Sequence, residues 1–380
     1  MRTKILIFIT VSMIIGMGVK TFSYGPKADF KWSPTMPTDL EKVHFIDNST
    51  GDIVAWIWYF GDGDSSTKQN PYHKYADNGT YNVRLVIWTS NGIMEIASKN
   101  ITIANVPPYA IIGDKRIFNS RTVNLSSKSY DLDGYVTAWY WSLGDGSHWS
   151  GKNITHTYTS DGIYLINLTV YDNDNAFNKT NTTIMVDTIP PVTNYNVSCL
   201  KWCNENVSIK FNATDNLSGV NYTMYKIDDG DWNKYNKTII ISSEGKHKIY
   251  FYSVDIAGNI ENEKNVSIKI DKTKPSIKLN SPKQGYIYIG GREIIPTIFG
   301  RTFIIGKFSA EAEANDKISG IAYVEFVLNG KILWKDYVSP YNAELPQEFP
   351  ISFSNGLKTI AYDNAGNYKE SNEVTYIKIL

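Results

Sequence analysis

The sequence is poor in cysteine, with 2 in 380 residues, and poor in histidine, with 5. Two cysteines exclude a disulfide-stapled scaffold and a four-thiolate metal site, so each domain must hold itself together with an apolar core. Charge of one sign is missing as well: 38 Lys+Arg stand against 38 Asp+Glu. That balance removes the long-range field of a nucleic-acid binder, and no nucleic-acid partner is expected. After residue 24 no stretch keeps a helical period. No H-E-x-x-H helix, nucleophile elbow or phosphate-cradling glycine loop occurs, so no catalytic residue is assigned and no enzyme is expected.

The one long apolar run opens the chain. Arg2 and Lys4 precede the 15 uncharged residues 5–19, and Lys20 closes them. As a helix they would reach roughly 22 Å, short of the ~30 Å hydrocarbon core. Residues 1–24 therefore read as a signal peptide, with Thr21 and Ser23 placing cleavage after Ser23. An uncleaved N-terminal anchor is the alternative. The expected location is secreted or cell-surface, with no transmembrane anchor beyond this signal.

Fifteen Asn-x-Ser/Thr sequons point the same way, at Asn48, Asn78, Asn100, Asn124, Asn153, Asn167, Asn178, Asn181, Asn196, Asn206, Asn212, Asn216, Asn221, Asn236 and Asn265. Their density suits a glycoprotein whose sugars coat the surface. Asn and Ser/Thr alternating on exposed strand faces would give the same pattern. The Asn-, Lys- and Ile-rich composition reads as archaeal.

Internal repeats divide what remains. WIWYFGDG ends at Gly63 and WYWSLGDG at Gly146, and the same offset of 83 carries His73 onto His156 and Tyr75 onto Tyr158. Prolines at 108, 191 and 275 keep this beat and read as short linkers. Within modules the apolar period is two, as in Tyr164, Ile166, Leu168 and Val170. Short alternating strands between Gly/Asn/Asp turns predict an all-β chain of four tandem immunoglobulin-like sandwiches, over 26–105, 106–188, 189–272 and 273–380.

The first two modules resemble the polycystic kidney disease (PKD) domain, a sandwich of surface and secreted proteins. The residues that carry the likeness are Trp58, Gly61, Asp62 and Gly63, then His73 and Tyr75, and in the second copy Trp141, Gly144, Asp145, Gly146, His156 and Tyr158. Each Trp is expected to fill the space between sheets, with Gly-Asp-Gly as a turn. Recurrence in two adjacent modules argues for fold rather than catalysis. Modules three and four share D-x-x-S-G and D-x-A-G-N, starting at Asp215 and Asp255 and again at Asp316 and Asp363, and resemble bacterial and archaeal Ig-like surface repeats. An insertion over residues 283–307 suggests an extra hairpin in module four; a longer first strand pair is the alternative.

Acidic loops are the candidate binding chemistry. Asp131 and Asp133 precede a core strand of module two, and Asp172 and Asp174 follow another, so the four could offer oxygen ligands to calcium. The resemblance makes calcium plausible, since some PKD domains bind it; solvated Asx turns are the alternative, and no cofactor is required. Module one has no such set and should bind more weakly or not at all. Asp215 with Asp255, and Asp316 with Asp363, could pair similarly. Cys199 and Cys203 are expected to close a small disulfide turn. Trp149, Trp202, Trp232 and Trp334 lie in turn-rich stretches, where a ring either packs or meets a sugar or protein partner. The expected role is a non-catalytic extracellular structural or adhesion protein, a stalk or recognition module whose partner is an extracellular protein or a polysaccharide. The alternative is a carbohydrate-binding accessory protein of a secreted hydrolase.

Overall fold

The computed structural model describes residues 25–347 and 351–379. The expected signal peptide and its cleavage point lie outside the described residues. Every regular element among the described residues is a β-strand, and no helix there is long and apolar enough to cross a membrane. The chain separates into two compact units. One runs to Asp114 and adds Asn124–His156 and Tyr164–Thr183; the other holds Lys115–Val123, Thr157–Ile163 and everything from Ile184 on.

Four tandem β-sandwiches follow from the alternation. In the first, a three-stranded sheet of Phe30–Ser33, Val43–Asp47 and Tyr72–His73 faces a four-stranded sheet of Ser65–Ser66, Ile53–Tyr59, Gly79–Thr89 and Met94–Ile103. Val83, Leu85 and Ile87 point inward and meet Phe30, Phe45 and Trp58. The Trp58 ring is wholly buried, edge-on to Phe30 at 5.2 Å. In the second, Trp141 is 1% exposed, on the strand Val136–Ser142 paired with Gly162–Asp172. Both indole N–H groups donate to a carbonyl ten residues on, Trp58 to Lys68 at 3.0 Å and Trp141 to Gly151 at 2.9 Å. The repeat therefore extends to this hydrogen bond.

The third sandwich sets Val192–Val197, Val207–Thr214 and Ile239–Ile241 against a five-stranded sheet of Trp202–Cys203, Lys264–Ile270, Gly245–Asp255, Val220–Ile227 and Asn233–Lys234. Cys199 and Cys203 are disulfide-bonded beside its first edge strand. The fourth carries a larger sheet, because the segment expected as an extra hairpin forms Tyr286–Ile289 and Arg292–Pro296 in antiparallel pairing. Thr302–Ile305 then joins that hairpin, through parallel pairing on both sides, to the final strand Val374–Ile379.

Candidate functional site

The motif residues of the first two sandwiches make structural bonds. Asp62 Oδ2 meets His73 Nε2 at 2.5 Å, and the His73 ring stacks on Phe60 at 4.0 Å. The Tyr75 hydroxyl donates to the Phe60 carbonyl. Eighty-three residues later Asp145 meets His156 at 2.7 Å. Burial works against ionisation of Asp145, but hydrogen bonds from Ser147 and His156 hold its carboxyl down to about 2. Asp62, Asp64 and His73 lie close enough to share an ion; the His73 ring is already committed to Asp62 and Phe60.

The acidic loops of the second sandwich form a different kind of site. The strand ends deliver Asp131, Asp133 and the almost fully buried Asp172 to one end of the sandwich. Two residues that the sequence reading missed join them. Asp39, 4% exposed, comes from a loop of the first sandwich, and Asn105 from the linker. The backbone explains the meeting: Ala104 N–H donates to the Pro37 carbonyl at 2.8 Å, which lays the linker beside the loop that carries Asp39. Asn105 Nδ2 then donates to Asp172 Oδ2 at 2.8 Å, and Val106 N–H donates to Asp133 Oδ2 at 2.7 Å. Asp174 donates its N–H to Asp172 Oδ1 at 2.9 Å, and its carboxylate takes the Asn173 amide at 2.6 Å.

Four buried oxygens here, Asp39 Oδ1, Asn105 Oδ1, Asp131 Oδ2 and Asp133 Oδ1, have no hydrogen-bond donor. Buried oxygens without donors are costly, and carboxylates in hydrogen-bonding reach of one another more so. Burial, reinforced by Asp133, pushes the Asp39 carboxyl up to about 6 and does the same for Asp131. Asp133 is buried too, yet the Val106 N–H helps hold it below the usual carboxylate range. Acidic oxygens are the donors a hard cation such as calcium takes, although among the described residues the carboxylate groups whose oxygens all converge within 4.8 Å lie elsewhere. The first sandwich lacks the set. The offset of 83 puts Asn48, Thr50 and Thr89 where the second has Asp131, Asp133 and Asp172. Its nearby Asp47 instead accepts the Trp56 indole N–H at 2.7 Å.

Further along, the structure brings Asp215 to Asp255 and Asp316 to Asp363, and adds one linker carboxylate to each pair. Asp187, Asp215 and Asp255 place oxygens within 4.8 Å of one another, as do Asp271, Asp316 and Asp363. These carboxylates are tied by backbone donors. Asp255 takes Gly258 and Asn259 N–H groups, Asp215 takes Leu217 and Gly219, and Asp187 takes Ile189 and Ser218. Burial raises the Asp363 carboxyl above its ordinary range.

Fourteen of the fifteen sequon asparagines are exposed and Asn78 is half-buried, so each sits at the surface where a sugar could attach. Of the four tryptophans in turn-rich stretches, Trp149 and Trp334 are exposed, while Trp202 and Trp232 are half-buried.

The family described as "PKD domain" matches residues 28–103 and 105–186. The pre-pro-metalloprotease PrtV of Vibrio cholerae serotype O1 is 30% identical over 129 residues, 34% of this chain and 14% of that protein. Collagenase ColA of Clostridium perfringens is 29% identical over 121 residues, 32% of this chain and 11% of that protein. The chain thus spans a small fraction of the length of these relatives. Among solved structures, the PKD1 domain of Vibrio anguillarum Epp is 30% identical, covering 23% of this chain and all of that domain, with a TM-score of 0.21.

Proposed function

Residues 28–186 are two tandem PKD domains with two further β-sandwiches behind them, and from this we propose that the protein is a non-catalytic extracellular structural or adhesive chain, a surface stalk or recognition module. The observation that carries the reading is the construction of the linkers. Asp187 donates its N–H to Phe118 of the second sandwich and accepts from Ser218 of the third. Asp271 donates its N–H to Cys203 of the third and accepts from Ser319 of the fourth. A linker bonded to both neighbours holds the spacing between modules, which a spacer needs and an independent catalytic domain does not.

We propose further that the first junction takes calcium, a reading supported by its unpaired buried oxygens. Asp131, Asp133, Asp172, Asn105 and Asp39 would hold the ion, and its charge would offset carboxylates contributed by two successive modules. Secretion is supported by the leader-like residues 1–24 and by the exposed sequons. A second reading is a polysaccharide-binding accessory of a secreted hydrolase; the relatives' names, a metalloprotease and a collagenase, speak for its hydrolase part alone.

Protease shaving of intact native cells, combined with a panel of peptidase and glycosidase substrates, tests the proposal. Release of fragments of this chain without turnover of any substrate is the expected result. Turnover abolished by a single substitution would overturn it. Polysaccharide pull-down with a co-purifying hydrolase would favour the second reading.

A further inference from the structure

The outer face of the five-stranded sheet in the third sandwich segregates charge. Residues 189–272 contain ten lysines and ten carboxylates, so the module has no net charge of its own. Ile249, Phe251 and Ile268 point to the core, and the alternate positions face outward. Lys226, Lys234, Lys246, Lys248 and Lys269 all occupy those outward positions, and no outward position of these strands holds a carboxylate. Several of the module's acids are engaged away from this face, while Asp229 and Asp231 lie exposed in the turn between Lys226 and Lys234. Asp228 pairs with His247 at 2.8 Å, Glu261 with Lys264 at 2.6 Å, and Glu244 takes the Lys272 N–H.

Aromatic rings lie against three of these cations. Lys226 Nζ lies 5.1 Å from the Trp232 ring centroid and 4.8 Å from that of Tyr250, which also carries Lys248 at 4.9 Å. Lys234 lies over Tyr222 at 5.1 Å. Trp232 is in turn held edge-on by Tyr252 at 4.8 Å. Lysines propped on rings lose less side-chain entropy when an anion arrives than lysines free in solvent.

We propose that this face binds a linear anionic polysaccharide, one bearing carboxylate or sulfate groups along its sugar rings. A row of cations on strands whose outward positions carry no carboxylate is complementary to a repeating anion, and a sheet face accepts an extended chain. Single-stranded nucleic acid fits less well, because its bases need free aromatic faces for stacking and the lysines already cover faces of Tyr222, Trp232 and Tyr250. The assignment names a partner for the adhesive reading without depending on it. A chain that binds the polymer but is not shaved from cells keeps this proposal and loses that one.

The test is affinity electrophoresis of the full chain in gels containing polygalacturonate, neutral dextran or single-stranded DNA, at low and high salt. Asn265 stands opposite Tyr250 on the same face, so protein made without N-glycans is used. Retardation by polygalacturonate alone, fading with salt, is expected. The combined Lys226→Gln, Lys234→Gln and Lys248→Gln variant should lose about tenfold in affinity or more, three surface charge contacts at about 0.5 kcal/mol each. Its melting temperature should not change, and Arg at the same three positions should retain binding. A control with Lys68, Lys317 and Lys331 changed to Gln should bind as the parent does. No retardation at low salt, equal loss in the control, or stronger retardation by DNA would each overturn the proposal.

Discussion

The Asp271 carboxylate accepts the Ser319 backbone N–H at 3.0 Å, across the boundary between the third and fourth sandwiches. Asn367 Nδ2 returns a bond to the Asp271 carbonyl at 2.8 Å. The preceding joint repeats it, with Asp187 bonded to Ser218 at 2.9 Å and Asn259 Nδ2 to the Asp187 carbonyl at 2.8 Å. A side chain so placed reads out as protection of the linker that follows it. Asp271→Ala should open the peptide bond after Lys272 to trypsin, while the melting of the sandwich cores shifts little. Peptide mapping of a timed digest, parent against variant, checks this; unchanged cleavage would show that the joint adds no rigidity.

The acidic junction should be stabilised both by metal and by protons, which compete for the same carboxylates. Asp39 and Asp131 have folded-state carboxyls near 6, above the unfolded value of 3.8. Between those values the folded state binds more protons than the unfolded one, so without metal the stability rises as the pH falls from about 7 towards 4. Calcium should stabilise at pH 7, by about 2–3 kcal/mol at a hundredfold excess over Kd, and lose its effect towards pH 5 as protons compete. Melting curves with calcium or with EDTA at several pH values measure both trends. Asp39→Asn should diminish the calcium shift even though Asp39 lies in the other sandwich; a shift of full size would remove Asp39 from the site.

Much of this architecture is legible in the chain. The W-x-F-G-D-G copies and the period of two predict buried Trp58 and Trp141 between sheets, because ring size and alternation are local properties. The junction is not local. Asp39 sits in a loop without motif, and only the Ala104 to Pro37 hydrogen bond brings it to Asn105 and Asp133. Asp187 and Asp271 did leave a signal: each precedes a linker proline closely, and they are spaced like the linkers themselves. The outward lysines of the third sandwich are scattered along four strands, and their common face emerges only from the register.

Trp58 and Trp141 should behave as equivalents. Each is buried, and each indole N–H satisfies a backbone carbonyl, of Lys68 and Gly151 respectively. Truncation to Ala removes the ring and leaves that carbonyl without its donor, so each variant should lose about 3–5 kcal/mol. Denaturant titration of the full chain should show one early transition in either variant, with the remaining sandwiches unfolding as in the parent. A single transition displaced as a whole would mean that the modules unfold cooperatively.

The two glycines of the first Gly-Asp-Gly turn separate backbone strain from steric clash. Both have positive φ, +93° at Gly61 and +104° at Gly63. A Cβ on Gly63 would meet nothing within 4 Å, so Gly63→Ala should cost only the left-handed penalty of about 1–2 kcal/mol. A Cβ on Gly61 would lie 2.8 Å from the Asn82 carbonyl oxygen and 2.9 Å from its amide nitrogen, both backbone atoms of a central strand. That strand cannot move without disturbing its pairing on both sides, to Ile53–Tyr59 and Met94–Ile103. Gly61→Ala should therefore exceed Gly63→Ala by about 1–3 kcal/mol, the usual range for overpacking. Gly144, whose Cβ would meet the Leu165 backbone at 2.9 Å, should repeat the larger loss in the second sandwich. Equal losses at Gly61 and Gly63 would mean that φ alone selects glycine in this turn, and that the close approach of the turn to the strand is incidental.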